Sequence, residues 1–377
     1  MQKITELNVL YHGRRVGKMA LYKNFIAAFE YDREWLADGF SISPYSLPLR
    51  KQVFIPRAEV FDGVFGVFAD SLPDGWGRLL VDRLLLKNKL NPAVLTQMDR
   101  LAIVGSSGMG ALTYEPEYKL ESGETKLDLD RIAAECSKLL AEEYSDDLDE
   151  LFKLGGSSGG ARPKILTEID EEKWIIKFPA REDAKNIGRQ EYEYSLCAKE
   201  CGVEMTETKL FPSHNCEGYF GTKRFDRVKQ PDGTMERIHM VSVAGLLETS
   251  HRIPNLDYDI LMKLTLDLTK DYAEVEKLYR LMCFNIFAHN RDDHSKNFSF
   301  LYNETEHRWK LAPAYDLTYS NSIGGEHATT VHGNGQNPSM ADVLEVAKTI
   351  GISSTKAKRI AENVFDCVHT HLKEYLK

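Results

Sequence analysis

Two short polar segments in the last third of the chain constrain the fold most. Residues 290–297 read Asn-Arg-Asp-Asp-His-Ser-Lys-Asn, and residues 314–317 read Ala-Tyr-Asp-Leu after an intervening apolar run. Together they place Asp292, Asn297 and Asp316 in one order on the two sides of a predicted strand. Carboxylate and amide oxygens are the ligands that Mg²⁺ prefers in proteins. The pattern therefore predicts a loop, a strand and a second loop that carry one reactive carboxylate and an oxygen-lined metal site.

Phosphoryl-transfer enzymes use residues in this order. In protein kinases a loop Asp faces the acceptor hydroxyl, an Asn five residues later holds a metal ion, and a further Asp holds Mg²⁺. An alternative is that these residues are ordinary loop residues. His289 and His294 could also suggest a metal site, but zinc would need a third soft ligand nearby. The complete ordered set is more specific than any one of its parts.

A glycine-rich segment, residues 155–160, precedes a predicted strand. It is not a Walker A motif, because Lys164 comes four residues after the last Gly and no Ser or Thr follows it directly. Backbone N–H groups in such a loop can cradle phosphates, and Ser157 and Ser158 add hydroxyls. A flexible turn is the alternative, and the segment alone does not decide between them.

Lys177 lies in a second predicted strand among apolar neighbours. Such a lysine is usually an edge or surface residue. Here a predicted helix with Glu191 follows, which is the strand-Lys and helix-Glu arrangement of kinases. Glu193 is the competing partner on the same helix.

Composition excludes some classes of function. The net charge of −9 disfavours nonspecific nucleic-acid binding by the chain itself. No apolar run approaches the length that spans a membrane and no signal core is present, so we expect a cytosolic protein. Cys197 and Cys201 lie one helical turn apart, but no second close pair completes a zinc set. We therefore predict free thiols in a reducing compartment.

Taken together, these motifs resemble those of the HipA-family serine/threonine kinases, the toxins of bacterial HipBA-type toxin–antitoxin modules. The resemblance covers nearly the whole chain. Its strongest segments are residues 157–164, 176–179, 223–227, 290–298 and 314–317, and residues 70–78 resemble part of the family's N-terminal coupling region.

The resemblance implies an α+β, two-lobed, protein-kinase-like fold. The N-terminal lobe would be strand-rich, the C-terminal lobe would be helical, and ATP·Mg²⁺ would lie between them. The expected divisions are a coupling subdomain over 1–120, the core of the N-terminal lobe with the phosphate loop and hinge over 121–227, and the C-terminal lobe over 228–377. Residues 4–30 read as short antiparallel strands, and the chain beyond Val243 reads as mostly helical except near 298–301.

The resemblance also implies roles for individual residues. Asp292 matches the catalytic Asp, Asn297 and Asp316 match the Mg²⁺ ligands, and Ser157 matches the loop serine that the family autophosphorylates, with Ser158 as a second acceptor beside it. The expected nucleotide contacts, including the hinge around Phe225, are Ser158, Gly159, Gly160, Lys164, Lys177, Glu191, Lys223, Phe225, Asp226 and His294.

The partners follow from the same resemblance. It implies a protein substrate, in this family an aminoacyl-tRNA synthetase, and a DNA-binding HipB-like antitoxin through which any contact with nucleic acid would be made. No membrane partner is expected. Two alternatives share the architecture: a small-molecule kinase, and a non-catalytic regulator that binds ATP.

Overall fold

The computed structural model describes residues 3–57, 59–118, 128–145, 147–250 and 252–376. Its strands are β1 (Glu6–Tyr11), β2 (Arg14–Lys23), β3 (Ile26–Tyr31), β4 (Val53–Phe54), β5 (Leu112–Glu115), β6 (Lys164–Ile169), β7 (Glu172–Lys177), β8 (Thr208–Phe211), β9 (Tyr219–Lys223), β10 (Arg227–Lys229), β11 (Met235–Arg237), β12 (Met240–Ser242), β13 (Leu256–Asp257), β14 (Ser299–Asn303), β15 (Arg308–Leu311), β16 (Glu326–Val331) and β17 (Asn334–Gln336).

The α-helices are α1 (Arg33–Asp38), α2 (Gly66–Ala69), α3 (Gly75–Lys87), α4 (Gln97–Val104), α5 (Leu129–Leu140), α6 (Leu148–Gly155), α7 (Ile187–Glu200), α8 (Val243–Leu247), α9 (Tyr258–Thr269), α10 (Tyr272–Phe287), α11 (Met340–Ile350) and α12 (Ser354–His371). Short 3₁₀ turns lie at Pro92–Val94 and Ile323–Gly325. Among the described residues, no helix is both long enough and apolar enough to cross a bilayer.

The chain forms two compact units. The first consists of Met1–Lys185 and Phe211–Ser250, and the second of Asn186–Leu210 and His251–Lys377. The first unit is rich in strands and the second in helices, as the predicted α+β class requires. The predicted boundary at residue 120 lies outside the described residues, and the three-part division of the chain stays a prediction.

The first unit contains an antiparallel sheet with the strand order β4-β3-β2-β1-β5. The strands predicted within residues 4–30 are β1, β2 and β3, so that prediction is confirmed. In β1 the buried side chains are Leu7, Val9 and Tyr11, the alternation expected of a strand with one face toward the core.

A second sheet in the first unit carries the glycine-rich loop. Strands β6 and β7 form a hairpin, and β7 also pairs with β9. The turn residues Asp170 and Glu171 both have positive φ, as the tight turn of a two-residue hairpin requires. Helix α6 ends where the loop begins, and a shared apolar core lies under the helices and the sheet; its largest members include Trp76, Leu80, Leu151, Ile165, Trp174 and Ile176.

The second unit is built around α10, which is buried along most of its length. Its N-cap Asp271 accepts a hydrogen bond from the Ala273 N–H, which satisfies a backbone group that the helix itself leaves unpaired. Helices α9 and α12 pack against α10, and α7 packs against α12. Helix α10 is therefore a rigid base for the polar loop that follows it.

The second unit has more strand structure than the sequence pattern predicts. Besides the expected β14, it contains β15, which pairs with β14, and β16, which pairs with β13 and β17. The prediction of a mostly helical chain beyond Val243 was incomplete. Strand β16 does alternate buried and exposed residues, but its short, threonine-containing sequence depends on tertiary neighbours to become a strand.

Candidate functional site

The polar loop after α10 is attached to that helix by paired asparagines. The Asn290 N–H donates to the Asn285 carbonyl at 2.9 Å, and the Asn290 side-chain amide donates to Asn285 Oδ1 at 2.9 Å. The Asn285 amide in turn donates to the Tyr258 hydroxyl at 3.0 Å. His289 adopts a left-handed conformation with φ of 51°, which turns the chain away from the helix axis. The loop thus starts from a fixed point.

The adjacent residues Asp292 and Asp293 have opposite environments. The Asp293 carboxylate accepts hydrogen bonds from the Tyr258 hydroxyl at 2.8 Å and from the Thr329 N–H at 3.1 Å, and it lies 3.0 Å from His327 Nδ1. Asp293 is 1% exposed. The Asp292 side chain is 65% exposed. Asp293 therefore anchors the loop, and the anchored loop presents the Asp292 carboxylate at the surface of the unit.

The two predicted metal ligands are oriented by main-chain contacts. The Asn297 amide nitrogen donates to the Asp292 carbonyl at 2.7 Å, which leaves the Asn297 amide oxygen as its ligand atom. Asp316 has a left-handed backbone with φ of 54°, a conformation that is uncommon for non-glycine residues but that Asp adopts more readily than most. Its neighbour Tyr315 donates its hydroxyl to the Lys296 carbonyl at 2.7 Å. The segment that carries Asp316 is thereby tied to the loop that carries Asn297.

His294 has a defined tautomer beside Asp292. Its Nδ1 accepts a hydrogen bond from the Lys296 N–H at 3.3 Å, so in the neutral ring the proton is on Nε2. His294 Nε2 lies 3.8 Å from Asp292 Oδ1. The imidazole therefore presents an N–H donor next to the exposed carboxylate.

In the first unit, the glycine-rich loop already binds a carboxylate. The Gly160 N–H donates to the Asp74 carboxylate. The Gly160 carbonyl accepts from the main-chain N–H of Trp76 at 2.9 Å. Lys164 closes the loop from the other side by donating to the Gly159 carbonyl at 2.6 Å. The Gly160 N–H is therefore paired with a carboxylate of this chain, and the phosphate-binding role of the loop stays a prediction.

Two lysines lie side by side where the loop meets the hairpin. Lys164 and Lys177 are directly opposed in the β6–β7 register. The Lys177 ammonium lies 5.5 Å from the centre of the Phe220 ring. Like charges at directly opposed positions of a hairpin repel each other. The hairpin end thus carries two positive side chains next to a glycine loop that holds the Asp74 carboxylate.

The two loop serines differ in exposure. Ser158 is 2% exposed and its hydroxyl donates to the Gly155 carbonyl at 2.5 Å, at the end of α6. Ser157 is only partly buried, and its hydroxyl donates to the Ser107 carbonyl at 3.1 Å. Ser158 therefore has a structural hydrogen bond in the loop, whereas Ser157 is the more accessible hydroxyl.

The segment predicted as a hinge is held by a buried ion cluster. The fully buried carboxylate of Asp226 accepts from Arg224 and Arg227, both at 2.8 Å, and from the Gly110 N–H at 2.7 Å. Burial raises the pKa of Asp226, but the two guanidinium groups outweigh that effect and lower it to about 2. Burial lowers the pKa of Arg227 to about 9. The Asp226 side chain is thus a structural ion, its main-chain carbonyl accepts from the Ile238 N–H at 3.1 Å and from Arg227 at 2.8 Å, and its predicted nucleotide contact stays a prediction.

The other predicted contacts occupy distinct places. In the first unit, the Lys223 ammonium forms an ion pair with the Glu172 carboxylate at 2.7 Å. The side chain of Phe225, in the same unit, is partly buried. In the second unit, Glu191 is 3% exposed on α7, whereas Glu193 accepts a hydrogen bond from the Tyr375 hydroxyl. The two candidate glutamates are therefore in different environments, and the choice of Glu191 as the helix Glu stays a prediction.

Sequence reasoning missed the residues that hold the site in place. Asp293 is the central one, and its partners come from α9 and β16; they are Tyr258, His327 and Thr329. In the first unit the missed contact is that of Asp74 with the glycine loop. The signal in the sequence that could have pointed to Asp293 is the Asp292-Asp293 doublet itself.

The close packing of α3 against the loop yields a test. A Cβ atom at Gly77 would lie 2.2 Å from the Ser158 carbonyl oxygen. We expect Gly77→Ala to lower the free energy of unfolding by about 1–3 kcal/mol, because the added methyl overpacks this contact. Helix propensity alone would act in the opposite direction by about 1 kcal/mol. Denaturant unfolding and nucleotide titration would measure both stability and loop function.

The control for Gly77→Ala lies on the same helix. Leu86 is exposed near the end of α3, so Leu86→Ala should leave nucleotide affinity unchanged. A Gly77→Ala protein that is more stable than the wild type and binds nucleotide equally well would show that the loop can move away from α3 without cost.

The fold and the site define a kinase-like α+β protein, and the comparisons with known proteins agree. The family model described as the HipA-like C-terminal domain matches residues 156–372, and the HipA N-terminal domain model matches residues 7–115. The chain belongs to the HipA family. The family predicted from the motifs is therefore confirmed.

The individual relatives have low sequence identity to this chain, but they match most of its length. The chain is 27% identical over 341 residues to "Putative kinase Y4mE" of Sinorhizobium fredii, covering 82% of this chain and 76% of that protein. It is 24% identical over 340 residues to "Putative kinase Y4dM" of the same organism, covering 84% and 78%. Among solved structures, the chain is similar to HipA in the Shewanella oneidensis MR-1 complex of HipA, HipB and operator DNA, with a TM-score of 0.73 and a sequence identity of 16%. The match covers 98% of this chain and 90% of that chain. That likeness confirms the predicted fold class.

Proposed function

We propose that this chain is an ATP- and Mg²⁺-dependent serine/threonine protein kinase of the toxin–antitoxin type. The observation that carries the proposal is the loop in which buried Asp293 holds exposed Asp292, while the Asn297 amide is bonded to the Asp292 carbonyl. This arrangement supports the proposal, because it leaves one carboxylate exposed for an acceptor and one amide oxygen for a metal ion. The names of the relatives, which describe kinases, support the same activity.

Each group would have one role in the transfer. Asp292 orients the acceptor hydroxyl and takes its proton, and the neighbouring His294 Nε2–H lies beside that carboxylate. Asn297 and Asp316 supply oxygen ligands for the metal ion. Mg²⁺ at that position would neutralise charge on the transferring phosphoryl group. Lys177 and the N–H groups of the glycine loop bind phosphate oxygens in the first unit.

The proposed partners follow from the family and from charge. The Shewanella HipA structure contains HipB and operator DNA, which supports a DNA-binding HipB-like antitoxin as partner here. The net charge of −9 favours contact with DNA through such a partner rather than directly. The proposed substrate is a protein of translation, such as an aminoacyl-tRNA synthetase.

Label transfer tests the activity and its substrate class together. The purified chain is incubated with a cell lysate and ATP labelled on its γ-phosphate, with and without Mg²⁺. We expect Mg²⁺-dependent label on serine or threonine of lysate proteins and on the chain itself. Label confined to small molecules would identify a small-molecule kinase. ATP binding without any transfer would identify a regulator, and either result would overturn the proposal.

Removal of the proposed metal ligand Asp316 should weaken nucleotide binding. We expect Asp316→Ala to lower the affinity for ATP in the presence of Mg²⁺ by roughly tenfold or more, which corresponds to about 1.4 kcal/mol. Calorimetric titration with and without Mg²⁺ would measure it. Asp366→Ala, at an exposed position of α12, is the control. Equal Mg²⁺-dependent affinity in Asp316→Ala and the wild type would remove Asp316 from the metal site.

Phosphorylation of Ser157 should act as an off switch. A phosphate there would add a charge of roughly −1.5 to −2 to a loop whose N–H groups bind phosphate oxygens. Like-charge repulsion should then weaken ATP binding. Mass spectrometry of the ATP-treated chain would locate the phosphate, and titration of the modified form would give its affinity. The accessible Ser157, rather than the buried Ser158, is the expected site.

The serine variants separate the two hydroxyls. Ser157→Ala should remove the phosphate and preserve ATP binding. Ser158→Ala should leave phosphorylation in place but lose the hydrogen bond to the Gly155 carbonyl. A phosphate found on Ser158 alone, or undiminished ATP binding by a chain fully phosphorylated at Ser157, would contradict the switch.

A further inference from the structure

A cluster of three thiols lies in the second unit, among residues that have no role in the proposed phosphoryl transfer. Cys197 lies on α7, and Cys367 lies on α12. Cys201 follows the last residue of α7 as its C-cap. The three Sγ atoms all lie within 4.8 Å of one another. Cys197 and Cys201 are buried, and Cys367 is partly buried. The cluster therefore has a buried side and one side near solvent.

The cluster continues toward an imidazole. His371 follows Cys367 by one helical turn on α12, and a ring nitrogen of His371, the Cys367 sulfur and a Glu200 carboxylate oxygen also lie within 4.8 Å of one another. His371 Nε2 is 3.2 Å from the Glu200 carboxylate. Two packed helices thus bring a Cys-x₃-Cys pair next to a Cys-x₃-His pair.

This donor set matches a soft divalent cation. Structural zinc sites are tetrahedral, are made of three or four cysteines with histidine, and take their ligands in closely spaced pairs. With Zn–S bonds of about 2.3 Å, two sulfurs on one tetrahedral ion lie about 3.8 Å apart. The three thiols therefore need only small side-chain movements to share an ion. The Glu200 carboxylate lies at the same end of the cluster, within 4.8 Å of both the Cys367 sulfur and a ring nitrogen of His371.

We infer that the thiols of Cys197, Cys201 and Cys367 form a zinc site, with the imidazole of His371, the neighbour of Cys367, as the fourth ligand. The ion would connect α12, near the C-terminal end of the chain, to α7. Because the ligands come from two helices, binding of the ion is coupled to the packing of those helices and should stabilise the second unit. The four residues take no part in the proposed kinase mechanism, so the site can be tested whether or not that function holds.

Cobalt substitution tests the site directly. The full-length chain is reduced, freed of metal and titrated with Co²⁺. We expect one cobalt per chain, a thiolate-to-cobalt charge-transfer absorption in the near ultraviolet, strong visible bands of a tetrahedral ion, and loss of these bands when Zn²⁺ is added. Zn²⁺ should also raise the melting temperature of the metal-free chain. A reduced wild-type chain that shows no such bands would overturn the inference, and so would one that forms a disulfide in air but binds no metal when reduced.

Variants assign the ligands. Cys367→Ser should abolish the charge-transfer band and the Zn²⁺-dependent rise in melting temperature, and His371→Gln should weaken cobalt binding and change the visible bands. Cys216→Ser is the matched control, because Cys216 is a partly exposed cysteine of the first unit outside the cluster. Circular dichroism of the metal-free variants confirms folding, and Cys367→Ala replaces the serine variant if that protein does not fold. Bands unchanged in the Cys367 variant would refute the thiol cluster, and bands unchanged in His371→Gln would refute the fourth ligand.

Discussion

Replacement of Asp292 by Asn is expected to lower the rate of phosphoryl transfer by roughly 100-fold or more, because the amide cannot take the proton of the acceptor hydroxyl. The melting temperature should not change. The side chain is 65% exposed, and surface substitutions usually alter stability by less than about 0.5 kcal/mol. The rate of label transfer and the thermal melting curve, measured on the same preparation, give both quantities.

The control for Asp292→Asn is an Asp-to-Asn substitution at an exposed position away from the candidate site. Asp366→Asn alters an exposed carboxylate on α12 and should leave both the rate and the melting temperature as in the wild type. Near-normal turnover by the Asp292→Asn protein would exclude this carboxylate from the mechanism, even if Mg²⁺·ATP binding is confirmed.

Replacement of the next residue, Asp293, should lower stability, whereas replacement of Asp292 should lower activity. We expect Asp293→Asn to lower the free energy of unfolding by roughly 3 kcal/mol, because removal of one partner from a buried, hydrogen-bonded pair leaves the other groups uncompensated. The Asn amide would face the Tyr258 hydroxyl, the Thr329 N–H or the His327 ring, all of which lie within 3.1 Å of the native carboxylate. Urea unfolding at neutral pH would measure the loss.

The adjacent pair separates chemistry from anchoring. Asp292→Asn should lower the rate of phosphoryl transfer and leave the free energy of unfolding unchanged. Asp293→Asn should lower the free energy of unfolding, and the molecules that remain folded should still be active. His327→Gln, which removes one partner of Asp293, should destabilise the protein less than Asp293→Asn does. If Asp293→Asn is as stable as the wild type, the buried network does not hold the loop.

Local patterns were sufficient to predict several parts of this protein. The strands β1 to β3 follow from the alternation of apolar and polar residues along the chain, whereas the two-lobed α+β class follows from the resemblance to the family. The order of Asp292, Asn297 and Asp316 could also be recognised, because a loop, a strand and a second loop hold all three within 25 residues. These features depend on neighbours in sequence, which a linear pattern records.

Other features were decided by segments far apart in the chain. Asp292 and Asp293 are the same residue type, and only the packing of α9 and β16 buries one and exposes the other. The partner of the Gly160 N–H is Asp74, 86 residues away, and the third thiol beside Cys197 is Cys367. Burial and hydrogen bonding depend on which surfaces meet when the core forms. The sequence by itself therefore determined the family and several of the local elements, because both depend on patterns of neighbouring residues. Only the tertiary structure decided which carboxylate is the anchor, what holds the glycine loop and which cysteines meet.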